Sequence, residues 1–379
     1  MKYMGFLSRI KLRNSHSGFT ILELLVAVSV TALLAAMLLN ITSQVVSTQI
    51  KASGDLETNQ IAQFILDRIQ EDLQCAISRN DGNVWMAAKI LTDELTSSSW
   101  VSSKSVAKPK EESKRVFIDD WPDEVWLSDQ KGKEAKELAE ANQQGPLTES
   151  RYGIGGTWLR FFSQAPELDS NIQNKGEVRA IAYQIVRYGL TGADTSRPRY
   201  QLFRSDVSAE NTFAAGFNLH PVDGNYNANK ASNLRGANII KNPISQETLG
   251  ESPTSFSLAS NIVDFGLRAY IYQKNSLGKR YLKQLFPMTE NMNHEDEFIA
   301  STHSGYRSNP SDASFNAFPE VVDVMIRVLT SEGESAVSAL EEGLTPIPEG
   351  YDEGEYWWKL AEENSDVYTR RIKIFSSSI

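Results

Sequence analysis

The residue best placed to do chemistry is Glu23, a carboxylate inside an apolar run near the start of the chain. No other charged residue occurs between it and Ile50, and the segment 19–41 is strongly apolar. A carboxylate within such a span costs about 2.5–3.5 kcal/mol on membrane-insertion scales, so it needs a partner. Cleavage between Gly18 and Phe19 would create a positively charged α-amine about one helical turn from Glu23. The spacing therefore indicates proteolytic processing followed by ion pairing, within one helix or between packed helices.

Other residue patterns that support catalysis are missing from the sequence. The run Gly153-x-Gly155-Gly156 precedes a predicted strand, so it indicates a tight turn and not a phosphate-binding loop. No Gly-x-Ser-x-Gly run occurs, and the histidines have neither His-Glu-x-x-His spacing nor paired cysteine ligands. These histidines are His16, His220, His294 and His303. We therefore expect no enzyme activity, no cofactor and no metal site.

Two short acidic runs, at 295–297 and at 352–355, offer carboxylate oxygens of the kind that bind Ca²⁺. Neither run has the spacing of an EF-hand loop. Runs of charge are usually solvated surface, and we interpret both runs in that way.

The charge of the chain is unevenly distributed. The formal net charge is −10, yet residues 1–18 contain four basic side chains and no acidic one, so the remainder carries −14. An acidic body repels phosphate backbones, so nucleic acid is not an expected partner. The basic start of the chain favours a cytoplasmic N-terminus, with the residues after about 45 outside the inner membrane. The four basic residues are Lys2, Arg9, Lys11 and Arg13.

Three interpretations of the apolar segment compete. A cleaved secretory signal has a shorter apolar region, about 7–15 residues, followed by its small-residue cleavage site. An uncleaved signal anchor fits the 23 residues of Phe19–Ile41 and the basic flank, but it leaves Glu23 unexplained. Cleavage of a leader after Gly18 explains the length of the apolar segment, its basic flank and the presence of Glu23 together.

The run from Gly18 to Val26 resembles the type III signal of type IV pilins and type II secretion pseudopilins. Glycine, phenylalanine, threonine, two aliphatic residues and glutamate follow one another in that family's order. The resemblance implies cleavage after Gly18, methylation of the new N-terminus at Phe19, and a role for Thr20 and Glu23 in filament assembly. It also implies a prepilin peptidase/N-methyltransferase and other pilin-like subunits as partners.

One position departs from the pattern of many major pilins. Those proteins have a helix-kinking proline near the twenty-second mature residue, where this chain has Asn40. The departure puts a kink in doubt, and it agrees better with a minor or pseudopilin-like subunit.

Beyond the apolar segment, aliphatic residues recur every four positions from Ile61 to Ile77. This spacing predicts an amphipathic helix with one buried side, and Asp67, Arg68, Glu71 and Asp72 are expected on its other faces. Strand patterns follow later, so the sequence predicts an α+β, pilin-like fold. A long N-terminal transmembrane helix would pack on a C-terminal antiparallel β-sheet domain with long loop insertions.

The predicted organisation has five parts. A basic leader (1–18) precedes a transmembrane helix (19–45) and a periplasmic amphipathic helix (46–80). An insertion (97–150) contains one short helix at 132–142 and anchoring residues Trp121 and Trp126. A β-rich globular domain (151–379) completes the chain.

Strands are predicted at 157–162, 180–190, 200–204, 262–272, 321–329 and 368–375. The second and third form a hairpin, and the fourth has a bulge at Gly266. Short helices are expected at 334–342 and 354–364, and a long loop at 205–257.

The layout is similar to the J-type minor pseudopilin of type II secretion, through Arg204, Pro319 and Arg370. The long loops are more similar to the prepilin-like Verru_Chthon cassette proteins, protein C among them. The sequence thus favours a minor pilin or pseudopilin-like subunit of a periplasmic type IV pilus-like or type II secretion-like filament. The alternative is a monomeric binding protein anchored in the bacterial inner membrane by a single span, with a periplasmic ligand-binding domain.

Overall fold

One helix, α1 (Ile21–Gln74), occupies the first part of the structure. No proline interrupts it, and its one glycine is Gly54. Among the described residues it is the helix that is long and apolar enough to cross a membrane, judged by length and composition. The computed structural model describes residues 20–90, 147, 152, 156–164, 177–189, 198–220, 223–226, 256–274, 278–287, 297–307, 312–351 and 353–375.

The chain divides into two compact units, residues 1–53 and residues 54–379. In the first unit, the part that the structure describes is the start of α1. In the second unit, the rest of α1 accompanies two antiparallel sheets, which agrees with the predicted α+β, pilin-like fold.

The first sheet of the described chain has six strands. They are β1 (Met86–Ile90), β2 (Thr157–Ser163), β3 (Arg179–Gly189), β4 (Pro198–Val207), β5 (Ser257–Ser260) and β8 (Glu297–Ala300). Their spatial order is β5-β4-β3-β2-β1-β8, and every neighbouring pair is antiparallel. Because β1 pairs with both β2 and β8, residues from before and after the 97–150 segment share one sheet.

The second sheet has four strands, again all antiparallel to their neighbours. They are β6 (Ile262–Lys274), β7 (Arg280–Phe286), β9 (Val321–Leu329) and β10 (Ser365–Lys373), in the order β10-β9-β6-β7. In the described part of the chain, three α-helices accompany the strands: α2 (Ala209–Ala215), α3 (Ser331–Glu341) and α4 (Glu353–Glu363).

The main hydrophobic core lies where the second half of α1 meets both sheets. The buried stripe of α1 consists of Ala62, Ile65, Leu66, Ile69 and Leu73, each at most 2% exposed. These residues pack with inward-facing side chains of β3, β6 and β9. A second core covers the opposite face of the six-stranded sheet, so its central strands are buried on both sides. Every residue of β2 is buried, including Arg160, whose guanidinium lies 4.8 Å from the centroid of the Trp158 ring.

Several predicted elements are confirmed. The strands β3 and β4 form the predicted hairpin, β9 occupies 321–329 as predicted, and helices α3 and α4 overlap the two predicted C-terminal helices. Gly156 has φ +57°, as expected for a turn glycine. The predicted helix at 132–142, Trp121 and Trp126 lie outside the described residues.

Other predictions need correction. The register of β6 shifts next to Ile262 and Ala269 and not at Gly266, so the predicted bulge is wrong. Gly266 instead makes room for an aromatic ring, since a Cβ there would lie 2.4 Å from Tyr152 Cδ2. Helix α1 ends at Gln74 and not at residue 80. The predicted loop at 205–257 contains α2, and β1, β5, β7 and β8 carried no recognised strand pattern.

Candidate functional site

The start of α1 is closed by a reciprocal pair, Thr20 and Glu23. The backbone N–H and the hydroxyl of Thr20 both donate to Glu23 Oε2, each at 3.0 Å. In return, the Glu23 backbone N–H donates to Thr20 Oγ1 at 3.2 Å. The Thr20 carbonyl accepts the helical hydrogen bond of Leu24 at 3.2 Å, which makes Thr20 the N-cap residue. This arrangement is a capping box, in which two otherwise unpaired backbone donors are satisfied.

The capping box gives Glu23 a local role that the sequence argument missed. The signal was present, because threonine followed three residues later by glutamate is the capping-box signature. A carboxylate at this position also lies at the positive end of the helix dipole. Gly18 and Phe19 lie outside the described residues, so the pairing of Glu23 with an α-amine stays a prediction.

The apolar side chains of α1 up to Ile50 are all well exposed within their unit, from 48% at Val46 to 87% at Ile21. Four hydroxyls in this segment donate to backbone carbonyls one turn earlier, at 2.5–2.8 Å. Polar groups satisfied in this way are compatible with an apolar surrounding. The helix continues through Asn40, whose side-chain oxygen accepts from Gln44 at 3.4 Å. The hydroxyl donors are Ser29, Thr31, Thr42 and Thr48.

A buried charge cluster ties the end of α1 to the six-stranded sheet. The Asp72 side chain is fully buried and receives two hydrogen bonds from Arg204, at 2.6 Å from Nε and 3.0 Å from Nη2. The Tyr183 hydroxyl donates to the same carboxylate, and Arg68 Nη2 lies 3.7 Å from it. The prediction that Asp72 lies on a polar face of the helix is therefore wrong. A carboxylate in the last helical turn faces the negative end of the dipole, and the two arginines offset that repulsion.

The same cluster shifts the proton affinities of its members. Burial alone would lower the pKa of Arg204, but hydrogen bonds and attraction to Asp72 outweigh it and raise that pKa. Burial, reinforced by the charge of Asp72, raises the pKa of Tyr183 well above its ordinary value. The guanidinium and the phenol therefore both keep their protons across the physiological range.

A second attachment joins α1 to β10. Alternate residues of that strand, Asp366, Tyr368 and Arg370, contact the helix. The Thr58 hydroxyl lies 2.8 Å from Asp366 Oδ2 and 2.9 Å from the Tyr368 hydroxyl. Arg370 forms an ion pair with Asp67, and it donates to Gln63 and Gln70 at 2.7 and 3.2 Å. Arg204 and Arg370, two residues that carry the J-type resemblance, thus both hold α1.

The described histidines are arranged as structural caps. His220 Nδ1 accepts the backbone N–H of Asp223 at 3.0 Å, and His303 Nδ1 accepts that of Gly305 at 3.0 Å. Tyr306 stacks on His220 with ring centroids 4.1 Å apart. Asp223 Oδ2 also lies 3.2 Å from His220 Nδ1.

The acidic run at 295–297 is described only at Glu297, which forms an ion pair with Lys89 at 3.0 Å. Within the described part of the chain, no three histidine, cysteine, aspartate or glutamate side chains are grouped closely enough to hold a metal ion.

Comparison with known proteins gives one match. Residues 13–39 match the family model described as the prokaryotic N-terminal methylation motif. No curated protein sequence and no solved structure matches the chain. The matched segment contains the capping box and the start of the apolar helix, and the match supports a type IV prepilin-like protein that is anchored in a membrane. The family of the motif is structural rather than catalytic.

Proposed function

We propose that the chain is a minor pilin or pseudopilin-like subunit that is cut between Gly18 and Phe19 and assembled into a periplasmic filament through α1. The observation that carries the proposal is the methylation motif at 13–39, placed directly at the start of an exposed apolar helix. The prepilin peptidase/N-methyltransferase and other pilin-like subunits are the partners of this function. The leader is cytoplasmic, and the domain formed by 151–379 with β1 is periplasmic.

The geometry at the helix start supports a specific order of events. Before processing, Glu23 Oε2 satisfies the Thr20 donors within its own chain. Cleavage would create a cationic amine on Phe19, four residues before Glu23 and so about one helical turn from it. A carboxylate accepts several hydrogen bonds, so Glu23 binds the amine of its own chain or of a neighbour while the cap persists. Pairing between chains sets the register of neighbouring helices, since an unpaired acid in lipid is costly.

The finer assignment is to a J-type or Verru_Chthon cassette-like subunit at a filament tip. Arg204 and Arg370, which suggested this assignment, both contact the part of α1 after Gly54, Arg204 from the six-stranded sheet and Arg370 from the four-stranded sheet, and these contacts support it. Small residues on the apolar span permit close approach of a neighbouring helix. They are Ala27, Ser29, Ala32, Ala35 and Ala36.

The proposal is tested by two substitutions that separate charge from capping. Glu23→Gln keeps a residue that suits a capping box but removes the charge, whereas Thr20→Ala removes the cap and keeps the charge. If the charge drives assembly, Glu23→Gln loses most of its incorporation into sheared filaments, and Thr20→Ala loses much less. Equal incorporation of Glu23→Gln and the wild type would contradict the pairing and favour the anchored binding protein.

Processing is tested separately by mass spectrometry of the protein purified from its host. We expect a methylated N-terminus at Phe19 for the wild type and a full-length, unmethylated chain for a bulky substitution of Gly18. A wild-type protein that begins at Met1, or after the apolar segment, would overturn the proposed processing.

A further inference from the structure

The loop between α3 and α4 exposes three large apolar side chains within eight residues. Leu344 is 72% exposed, and Ile347 and Tyr351 are each 41% exposed. Single exposed apolar residues are ordinary on a protein surface, but a cluster of them indicates a contact site. We call Leu344, Ile347 and Tyr351 the apolar tip.

The backbone beneath the apolar tip is fixed by local hydrogen bonds. Gly343 has φ +72° and donates to the Leu340 carbonyl at 2.9 Å, while Leu344 donates to the Ala339 carbonyl at 2.8 Å. These two bonds form a Schellman motif at the end of α3, whose next residue normally packs back on the helix. Leu344 occupies that position and still points into solvent.

The far side of the loop is fixed as well. Tyr351 donates its backbone N–H to the Pro348 carbonyl at 3.3 Å. Its ring lies 4.8 Å from the Lys359 ammonium and 5.8 Å from the Tyr356 ring, measured to the ring centroids. A loop held in one conformation loses little entropy on binding, so its exposed side chains contribute more to affinity.

The surroundings of the apolar tip are strongly acidic. Residues 331–363 contain ten acidic side chains and one basic side chain, a net charge of −9, which Arg199, paired with Glu334 at 2.6 Å, reduces to −8. Glu342 and Glu349 flank the tip and are exposed. Such a surface repels anionic lipid headgroups and the same surface of a second copy. It attracts an apolar socket that is rimmed by lysine or arginine.

We propose that the apolar tip is a docking site for a protein partner that presents an apolar socket with a basic rim. Leu344 and Ile347 enter the socket, and Glu342 and Glu349 face the rim. The contact is independent of α1 and of the processing site, so it holds whether or not the chain assembles into a filament.

A defined probe tests the proposal with the full chain in nanodiscs of zwitterionic lipid. The probe is a labelled helical hairpin that presents a leucine-lined groove between its two helices and lysines along both edges of the groove, and empty discs give the background. We expect saturable binding that weakens with salt, and no binding of a matched peptide whose lysines are replaced by glutamates. The double variant Leu344→Ser, Ile347→Ser should bind at least about tenfold more weakly, because burial of each side chain is lost.

The matched control is Phe213→Ser, which removes a side chain that is 78% exposed on a different part of the surface. It should bind the probe like the wild type. Equal weakening by this control, absence of binding above the empty-disc background, or binding of both peptides alike would overturn the proposal. Cosedimentation of the wild type, but not the double variant, with phosphatidylglycerol vesicles would overturn it in favour of a lipid contact, and a dimer abolished by the double variant would overturn it in favour of a second copy.

Discussion

At the scale of single residues, two carboxylates on α1 show how differently an acid can be accommodated in an apolar context. Glu23 lies at the helix start, where backbone donors are unpaired, and a local threonine completes the arrangement. Asp72 lies at the other end of the helix, where the unpaired backbone groups are carbonyl acceptors. Its hydrogen-bond donors, Arg204 and Tyr183, therefore come from strands that are distant in sequence. The first arrangement follows from four consecutive residues, whereas the second depends on the tertiary fold.

The buried pair predicts a large effect of a small substitution. Asp72→Asn keeps the side-chain shape but removes the fully buried counterion of Arg204, which then keeps only its 2.8 Å pair with the partly exposed Asp206. We therefore expect a loss of about 3 kcal/mol of unfolding free energy. The control is Asp323→Asn, because Asp323 forms a comparable two-bond pair with Arg371, whose side chain is 43% exposed. That change should cost about 1 kcal/mol or less. Denaturant unfolding of the two variants in detergent checks the difference, and equal costs would contradict the role of burial.

At the scale of elements, glycines in this fold serve two distinct purposes, close packing and left-handed backbone. Gly266 is needed for the space of the Tyr152 ring, and Gly278 is needed for its φ of +77° in an open turn. Gly156 combines both requirements, since it has φ +57° and its missing Cβ would lie 2.9 Å from the Phe265 carbonyl oxygen. Gly156, directly before β2, therefore packs against the backbone of β6.

Because Gly156 and Gly278 meet different requirements, we expect their substitution by alanine to lower the stability of the fold by different amounts. Gly278→Ala introduces only left-handed strain, about 1 kcal/mol, because nothing lies within 4 Å of the new Cβ. Gly156→Ala adds a steric clash between the new Cβ and the Phe265 backbone, which cannot move away by a side-chain rotation. Its cost in unfolding free energy should therefore be at least about twice as large. Thermal unfolding of both variants measures the order, and a Gly156→Ala protein as stable as Gly278→Ala would contradict the packing of this turn on β6.

The elements that could be predicted from the sequence are those whose residue pattern is visible within one continuous stretch of chain. The hairpin of β3 and β4 consists of two β-patterned runs around one turn, and α1 follows from a long apolar run and the four-residue periodicity beyond it. The short strands β1 and β8 pair with each other across more than half of the chain, and neither has enough residues to show alternation. The site divides in the same way: Glu23 was found from its apolar neighbours, while Asp72 was assigned to the wrong face because its partners are distant in sequence.

At the scale of the whole molecule, the globular unit encloses several ionisable groups that are neutral when buried. Tyr183, Tyr226 and Tyr270 belong to different parts of the unit, and each is at most 3% exposed. Burial raises the pKa of each phenol above its ordinary value near 10. These three residues therefore link the stability of the fold to pH on the alkaline side, where Arg160, whose pKa burial lowers to about 9, acts with the opposite sign.

The sign of this linkage gives a prediction for the intact protein. The folded pKa of each tyrosine lies above the unfolded pKa, so the folded chain retains more protons and stability falls as pH rises above about 10. Each of the three phenols should contribute a slope of up to about 1.4 kcal/mol per pH unit in that window. Tyr226→Phe should reduce the total slope by one such contribution, because the phenol that must ionise on unfolding is gone. Parallel records of tyrosinate absorbance and tryptophan fluorescence check the linkage, and tyrosinate formation that is complete before any loss of tertiary structure would contradict it.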